Sequence, residues 1–317
     1  MKFFSNELSL HNQFNTVADF VPALREILQD RELLTRYGYR LYCEKTISNR
    51  PVHNSISFQK TIMALSDPNI KRQVMLWIAK DGPFWDEPDL RKHSGDDYFE
   101  YGHQVVTDSS LGEAAFQIAS GQIANTVSFR PSDFQLTPLI VHWHKINPPQ
   151  TVAVPNFWDV NLLQQYLQQQ QTPVNSWRDL INRSKIDLPN LTFLDSVLDG
   201  LEGEPFSSTI AERIRELLRV LHTLRISFDE QGDRTSEGHE MISNYFHGDN
   251  ALFSDESDSN KRLFRKELTF EKPDGEEIFC PFHGKIRHRV FRLHFSWPIR
   301  YDEPLYIAYI GPKITKK

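Results

Sequence analysis

Phe291-Arg292-Leu293-His294-Phe295-Ser296-Trp297-Pro298, followed by Leu305-Tyr306-Ile307-Ala308-Tyr309-Ile310, is the stretch that decides how this chain is built. Successive side chains of an extended strand point to opposite faces. Phe291, Leu293 and Phe295 therefore share one face, and Arg292 and His294 share the other. A strand of this kind buries its apolar side and offers a polar one. Strand-like runs precede it at about 262–271 and 276–281, joined by Pro273-Asp274-Gly275. That triplet is a hairpin signal, because proline presets φ and glycine accepts a left-handed turn. With runs at 289–297 and 305–310, residues 248–317 read as an antiparallel sheet.

Upstream, the polar, acidic stretch 248–260 reads as a connecting loop. Residues 156–247 read as mainly helical. Ile210, Ile214, Leu217, Leu218 and Leu221 keep helical spacing within 207–226, and a further helix fits 235–246. The first 155 residues alternate. The spacing predicts a helix over 16–36 with Thr16 as N-cap, a strand-like stretch at 39–47, and helices at 57–66 and 69–79 split by Asp67-Pro68-Asn69. A turn-rich loop follows at 81–98. Strands are expected at 99–107, 123–130, 138–146 and 151–154, with a helix over 109–120 capped by Ser109. The expectation is an α+β protein: a mixed α/β domain over 1–155, a helical region over 156–247 and a basic β-rich module over 248–317.

The chain has 317 residues, enough to bury a sizeable core without disulfide staples. Its two cysteines, Cys43 and Cys280, make no disulfide framework and point to a reducing compartment. The N-terminus turns polar at once, and no apolar run approaches the ~20 residues of a membrane span. A cytoplasmic location without membrane contact is expected. The net charge of −6 is uneven: Lys261 to Lys317 hold 13 Lys and Arg against 7 Asp and Glu. A basic tail on an acidic body suits a polyanion or an acidic partner, or simply packing of one part on the other.

Arginine and lysine suit phosphate, and histidine moves protons near neutral pH. Lys285, Arg287, Arg289, Arg292 and Lys313 are the expected nucleic-acid contacts. From Phe291 through Gly311-Pro312-Lys313-Ile314-Thr315-Lys316-Lys317, the last 80 or so residues resemble the end of RelE/HigB-type toxins, small ribonucleases with an antiparallel sheet behind two helices. The resemblance implies Lys285, Arg287, Arg292, His294 and Tyr309 as phosphate-binding or proton-transfer residues. The chain is also similar to an uncharacterised bacterial family found among anti-phage and mobile-element genes. Asp81-Gly82-Pro83-Phe84-Trp85, Val106-Thr107-Asp108, Ala251-Leu252-Phe253-Ser254-Asp255 and the run from Cys280 to Lys285 carry that similarity. It implies partner subunits from the same defence system.

A second constellation is acidic: Asp81, Asp86, Glu87, Asp89, Asp96, Asp97, Glu100, Asp108 and Glu113. Carboxylates around Asp96, Asp97 and Asp108 are candidates for Mg²⁺ in a nuclease, though no Glu-x-Lys follows them. The alternative is a solvated loop. His142 and His144 share a strand face without an obvious third metal ligand. Cys280 and His283 have the spacing of half a zinc site, and no second cysteine pair completes it. Phosphate-cradling or dinucleotide-binding glycine motifs are absent. Three functions are therefore in play: a nucleic-acid- or partner-binding subunit of an anti-phage system, a toxin-like ribonuclease, and a non-catalytic scaffold.

Overall fold

The structure, a computed structural model, describes residues 1–87, 90–145, 148–248, 251–286 and 290–315. It divides into two units, Met1–Thr35 with Tyr39–Gln171, and Arg36–Gly38 with Thr172–Lys317. Helices and strands occur in several sheets, an α+β class.

The first unit begins with β1 (Lys2–Asn6), whose Phe3 and Phe4 are fully buried. Helix α1 (Val17–Arg36) follows. Thr16 and Asp19 cap it reciprocally, each backbone N–H donating to the other's side chain. Then come β2 (Leu41–Tyr42), the short hairpin β3 (Pro51–His53) and β4 (Ile56–Ser57), α2 (Phe58–Met63) and α3 (Pro68–Leu76). Asp67 caps α3, and Pro68 occupies the first turn, where its missing N–H costs nothing. The chain continues through β5 (Phe99–Tyr101), β6 (Gln104–Val105), α4 (Ser110–Ala119), β7 (Ala124–Ser128), β8 (Leu139–Trp143), β9 (Gln150–Val154), β10 (Asn156–Phe157) and α5 (Val160–Gln169). A parallel sheet has the order β10-β7-β1-β2, and an antiparallel sheet the order β6-β5-β8-β9. Helix α4 packs against strands of both sheets, its Leu111, Ala114 and Ala115 buried with Phe4, Phe99, Val141 and Val152. The strand expected at 39–47 shortens to two residues and gives way to a 3₁₀ turn at Lys45–Asn49.

The second unit contains α6 (Trp177–Asp187), β11 (Leu191–Phe193), α7 (Ser196–Asp199), α8 (Ser208–Arg225), α9 (Ser236–Phe246), β12 (Phe253–Ser254) and α10 (Asp258–Leu263). The strands β13 (Thr269–Glu271), β14 (Glu277–Phe279), β15 (His283–Ile286), β16 (Phe291–Phe295) and β17 (Leu305–Pro312) complete it. The sheet order is β11-β17-β16-β15-β12, with β11 parallel to β17 and the other pairs antiparallel. Helix α8 lays Ile210, Ile214, Leu217, Leu218 and Leu221 on the face formed by Phe291, Leu293 and Phe295. The expected hairpin at Pro273-Asp274-Gly275 joins β13 to β14, with Gly275 at φ 82°.

Two expectations need correction. The boundary at 247/248 does not separate two cores, because α6, α8 and α9 share one core with the C-terminal sheet, and β11 from the helical region is an edge strand of that sheet. The folded unit is also not basic: residues 172–317 hold 21 Lys and Arg against 24 Asp and Glu. The tail's excess of Lys and Arg is thus offset by the acidic residues of 172–260 within the same unit.

Backbone rests on backbone where α7 meets β17. A Cβ on Gly311 would lie 2.2 Å from the Gly200 carbonyl oxygen, and one on Gly200 2.5 Å from the Ile310 carbonyl oxygen. Neither obstacle is a flexible side chain. Gly311→Ala should therefore destabilise the second unit by about 1–3 kcal/mol, read as a lower urea midpoint with an unchanged slope.

Candidate functional site

The polar face of the C-terminal sheet is assembled by strand register. His283 pairs with His294, and Lys285 with Arg292, across β15 and β16. Across β16 and β17, His294 pairs with Tyr309 and Arg292 with Gly311. Lys313 follows β17, and its N–H donates to the Val290 carbonyl. Beside His283, Glu256 is 6% exposed. It accepts hydrogen bonds from Asn260 (2.8 Å) and from the Thr315 hydroxyl (3.1 Å), and its Oε1 lies 3.5 Å from His283 Nδ1. Burial raises this carboxyl. The bond from Asn260, the charge of His283, the bond from Thr315 and the charge of Lys313 together bring it below its ordinary value.

The individual residues occupy different layers. Lys285, Arg292 and Lys313 are half-buried. None has a carboxylate within ion-pair distance among the described residues. Lys261, Lys272 and Arg300 of the same segment, by contrast, pair with Asp255, Asp274 and Glu303. Arg292 donates to the Phe291 carbonyl (2.9 Å), and its Nε is buried without a partner. His294 is fully buried; its Nδ1 bonds the Cys280 carbonyl at 3.0 Å, and its Nε2 has no partner. Burial first, then His283, lowers it to about 4. Its ring is thereby withheld from a phosphate at the surface. The Tyr309 hydroxyl donates to the Pro312 carbonyl (2.8 Å), and its ring stacks on Phe270 of the hairpin. The polar face expected to be open is therefore partly roofed by β13 and β14. Arg287 and Arg289 lie outside the described residues. Cys280 is buried with Leu194 and Ala308, and burial pushes its thiol up to about 12, far from a thiolate at neutral pH.

Among the described residues, the acidic constellation is more than a solvated loop, because it includes a buried carboxylate. Glu113 is fully buried in α4 and holds the loop of residues 91–93. It accepts from His93 Nδ1 (2.6 Å), from the backbone N–H groups of Lys92 (3.1 Å) and His93 (3.2 Å), and from Gln117 (2.5 Å). His93 Nε2 faces Arg91 at 3.0 Å, and Arg91 reaches the exposed Asp108 at 2.6 Å. Asp97 accepts from the Ser94 N–H and from the Trp143 indole. The described carboxylates and imidazoles form no group of three placed to hold a metal ion. Asp89 lies outside the described residues. His144 pairs with Glu100 at 3.4 Å, while His142 meets Thr151 at 3.5 Å. Sequence reading missed Glu256 and His93 because each acquires its role from a partner distant along the chain. The one local signal was a histidine inside an otherwise solvated loop.

No family model, no curated protein and no solved structure matches the chain. No helix among the described residues is long and apolar enough to cross a membrane.

Proposed function

We propose that the polar rim of the C-terminal sheet binds the phosphate backbone of a nucleic acid. The observation that carries this reading is the convergence of Lys285, Arg292 and Lys313 at one end of β15, β16 and β17, with no carboxylate in ion-pair distance among the described residues. The carboxylate of Glu256 offsets part of this positive charge from beyond ion-pair distance, and a phosphate would offset the rest. Arginine and lysine neutralise phosphates by displacing counterions, so binding of this kind is salt-sensitive and largely sequence-neutral. The burial of His294 favours recognition over cleavage.

The test is fluorescence anisotropy with labelled single-stranded RNA, single-stranded DNA and duplex DNA at two salt concentrations. Lys285→Ala/Lys313→Ala should weaken binding about tenfold or more at low salt. It should also flatten the log–log salt slope by roughly 1.4 to 1.8, since each lost phosphate contact removes about 0.7 to 0.9. The double variant Lys272→Ala/Arg300→Ala removes the same charge from residues already paired and should bind as wild type does. Equal loss in both variants, or loss in neither, would remove the site-specific reading.

A further inference from the structure

A row of proton-bearing side chains crosses the C-terminal sheet. Ser254 of β12 pairs with His283 of β15, His283 with His294 of β16, and His294 with Tyr309 of β17. Residues directly opposite one another across strands share a face. Lys285 and Arg292 stand on that same face, two residues along β15 and β16, which is about 6.5–7 Å away. His294 is the buried middle of the row, and Tyr309 lies under the hairpin of β13 and β14. The other end is different. β12 is an edge strand and its Ser254 is only half-buried, so the row ends on a reachable hydroxyl beside an imidazole.

The neighbours of His283 decide where its proton sits. Nδ1 lies 3.4 Å from the Pro281 carbonyl oxygen and 3.5 Å from Glu256 Oε1. Both are acceptors only, since Glu256 is held below its ordinary value and is ionised at neutral pH. Nδ1 therefore carries the hydrogen, and Nε2 presents a lone pair. The 3.3 Å contact between Nε2 and Ser254 Oγ is then a hydroxyl donating to the ring. Glu256 is itself fixed by Asn260 and Thr315, so its charge stays beside the imidazole. Hydroxyl, imidazole and carboxylate in this order form the arrangement that activates a serine: a base in reach of the nucleophile, oriented in turn by a third group. Contacts of this length are usual before a substrate tightens them.

We propose that Ser254 is a nucleophile toward phosphodiesters held by Lys285 and Arg292, with His283 as its base and Glu256 as the residue that positions the base. The inference rests on the phosphate-binding reading and adds a reaction to it through groups other than His294. The Ser254 oxygen bonds to phosphorus as its proton passes to His283 Nε2. The bond from phosphorus to the leaving ester oxygen breaks, and that oxygen takes the proton from Nε2. Water then attacks the phosphoserine and gives a proton to Nε2, and the bond from phosphorus to Ser254 breaks as the serine oxygen recovers it. Burial keeps the imidazole neutral at pH 7, with its lone pair free for the serine proton. Glu256 pulls against burial and steadies the imidazolium formed in passing, while Arg292 and Lys285 act with burial.

The full chain, with a chelator present, is mixed with end-labelled single-stranded RNA and single-stranded DNA, and separately with a fluorophosphonate, whose fluoride an activated serine displaces. Wild type should cut at least one strand, and peptide mass spectrometry should find the phosphonate on Ser254. Ser254→Ala should slow cleavage about a hundredfold or more while binding the same strand with an unchanged salt slope. Ser259→Ala, at an exposed serine of α10, should cut as wild type does. Glu256→Gln should slow cleavage and move the acid limb of the pH–rate profile to lower pH, because the carboxylate that raises His283 is gone. A residue that only supported the fold would leave that limb in place. A fluorophosphonate that leaves Ser254 of the wild type unmodified overturns the proposal, as does failure of wild type to cut either strand, or undiminished cleavage by Ser254→Ala. In each of those cases, salt-sensitive binding that is lost in Lys285→Ala/Lys313→Ala leaves the phosphate-binding reading standing.

Discussion

Glu113→Ala should destabilise the first unit by about 3–5 kcal/mol, the usual cost of removing one partner from a buried charged network. The carboxylate satisfies four donors at once: His93 Nδ1, the backbone N–H groups of Lys92 and His93, and the Gln117 amide. Alanine strands them in a region from which water is excluded, at about 1–3 kcal/mol for each donor left bare. Partial collapse and entering water keep the total below the sum. For a unit of this size the loss corresponds to a fall in Tm of about 6–20 °C. Glu113→Gln keeps the volume but must turn one amide N–H toward a donor, so it should fall between alanine and wild type. Asp108→Asn is the control. Asp108 is 75% exposed and touches the same network through Arg91 and, at 4.0 Å, His93 Nε2, so its loss should change stability by less than about 0.5 kcal/mol. Thermal unfolding followed by circular dichroism reads all three variants. Equal effects of Glu113→Ala and Asp108→Asn would mean that the loop of residues 91–93 is not held by Glu113.

The two units should respond to pH in opposite directions. In the first, Glu7 is fully buried; its Oε1 accepts from the Ser110 N–H at 2.9 Å, and its Oε2 has no partner. Burial, followed by the charge of Glu44, raises it to about 7, and Asp30 is raised to about 7 as well. Both carboxyls hold protons in the folded chain that they lose in the unfolded one between about pH 4.5 and 7. Their contribution is therefore present in mild acid and is lost as pH rises through 7. In the second unit, burial lowers His294 to about 4, and burial likewise lowers His283 and His222. These imidazoles stay neutral in the fold where the unfolded chain would protonate them. Their contribution is present above about pH 6.5 and is lost as pH falls toward 4. Glu113 and Glu256, both held below their ordinary values, act below this window. A tenfold change in proton affinity is worth about 1.4 kcal/mol, so each fully buried group changes stability by several kcal/mol across its range. Amide hydrogen exchange, corrected for intrinsic rate, should find the second unit less protected at pH 5 than at pH 7. It should find the first unit less protected at pH 8 than at pH 6. Glu7→Gln should remove part of the alkaline loss. Parallel behaviour of both units would contradict the placement of these groups.

Much of the helical framework was legible in the sequence. Helices α1, α4, α8 and α9 fall within a residue or two of the spacing and caps that announce them, because amphipathic period and capping chemistry are local. The hairpin at Pro273-Asp274-Gly275 was legible for the same reason. So were the two faces of β16, whose Phe291, Leu293 and Phe295 all enter the core. The missed strands were short, and most find partners far along the chain. β1 is five residues at a terminus that reads as polar, and it becomes a buried strand only through pairing with the distant β7. β11 hides in a helical region until β17 pairs with it.

The site divides in the same way. Composition and alternation placed Lys285, Arg292 and His294 on one face of one sheet, since a period of two is a property of the backbone itself. Whether a side chain on that face meets solvent depends on what covers it. The hairpin of β13 and β14 and the turn of α7 cover Tyr309, Glu256 sits beside His283, His294 is fully buried, and Lys285, Arg292 and Lys313 stay half-buried. Sequence by itself determined the class of the fold, its longer helices and the chemistry available to the sheet. Tertiary structure alone decided which of those groups are buried and unable to exchange protons near neutral pH, because burial and charge pairing arise from contacts between residues that are remote in the chain.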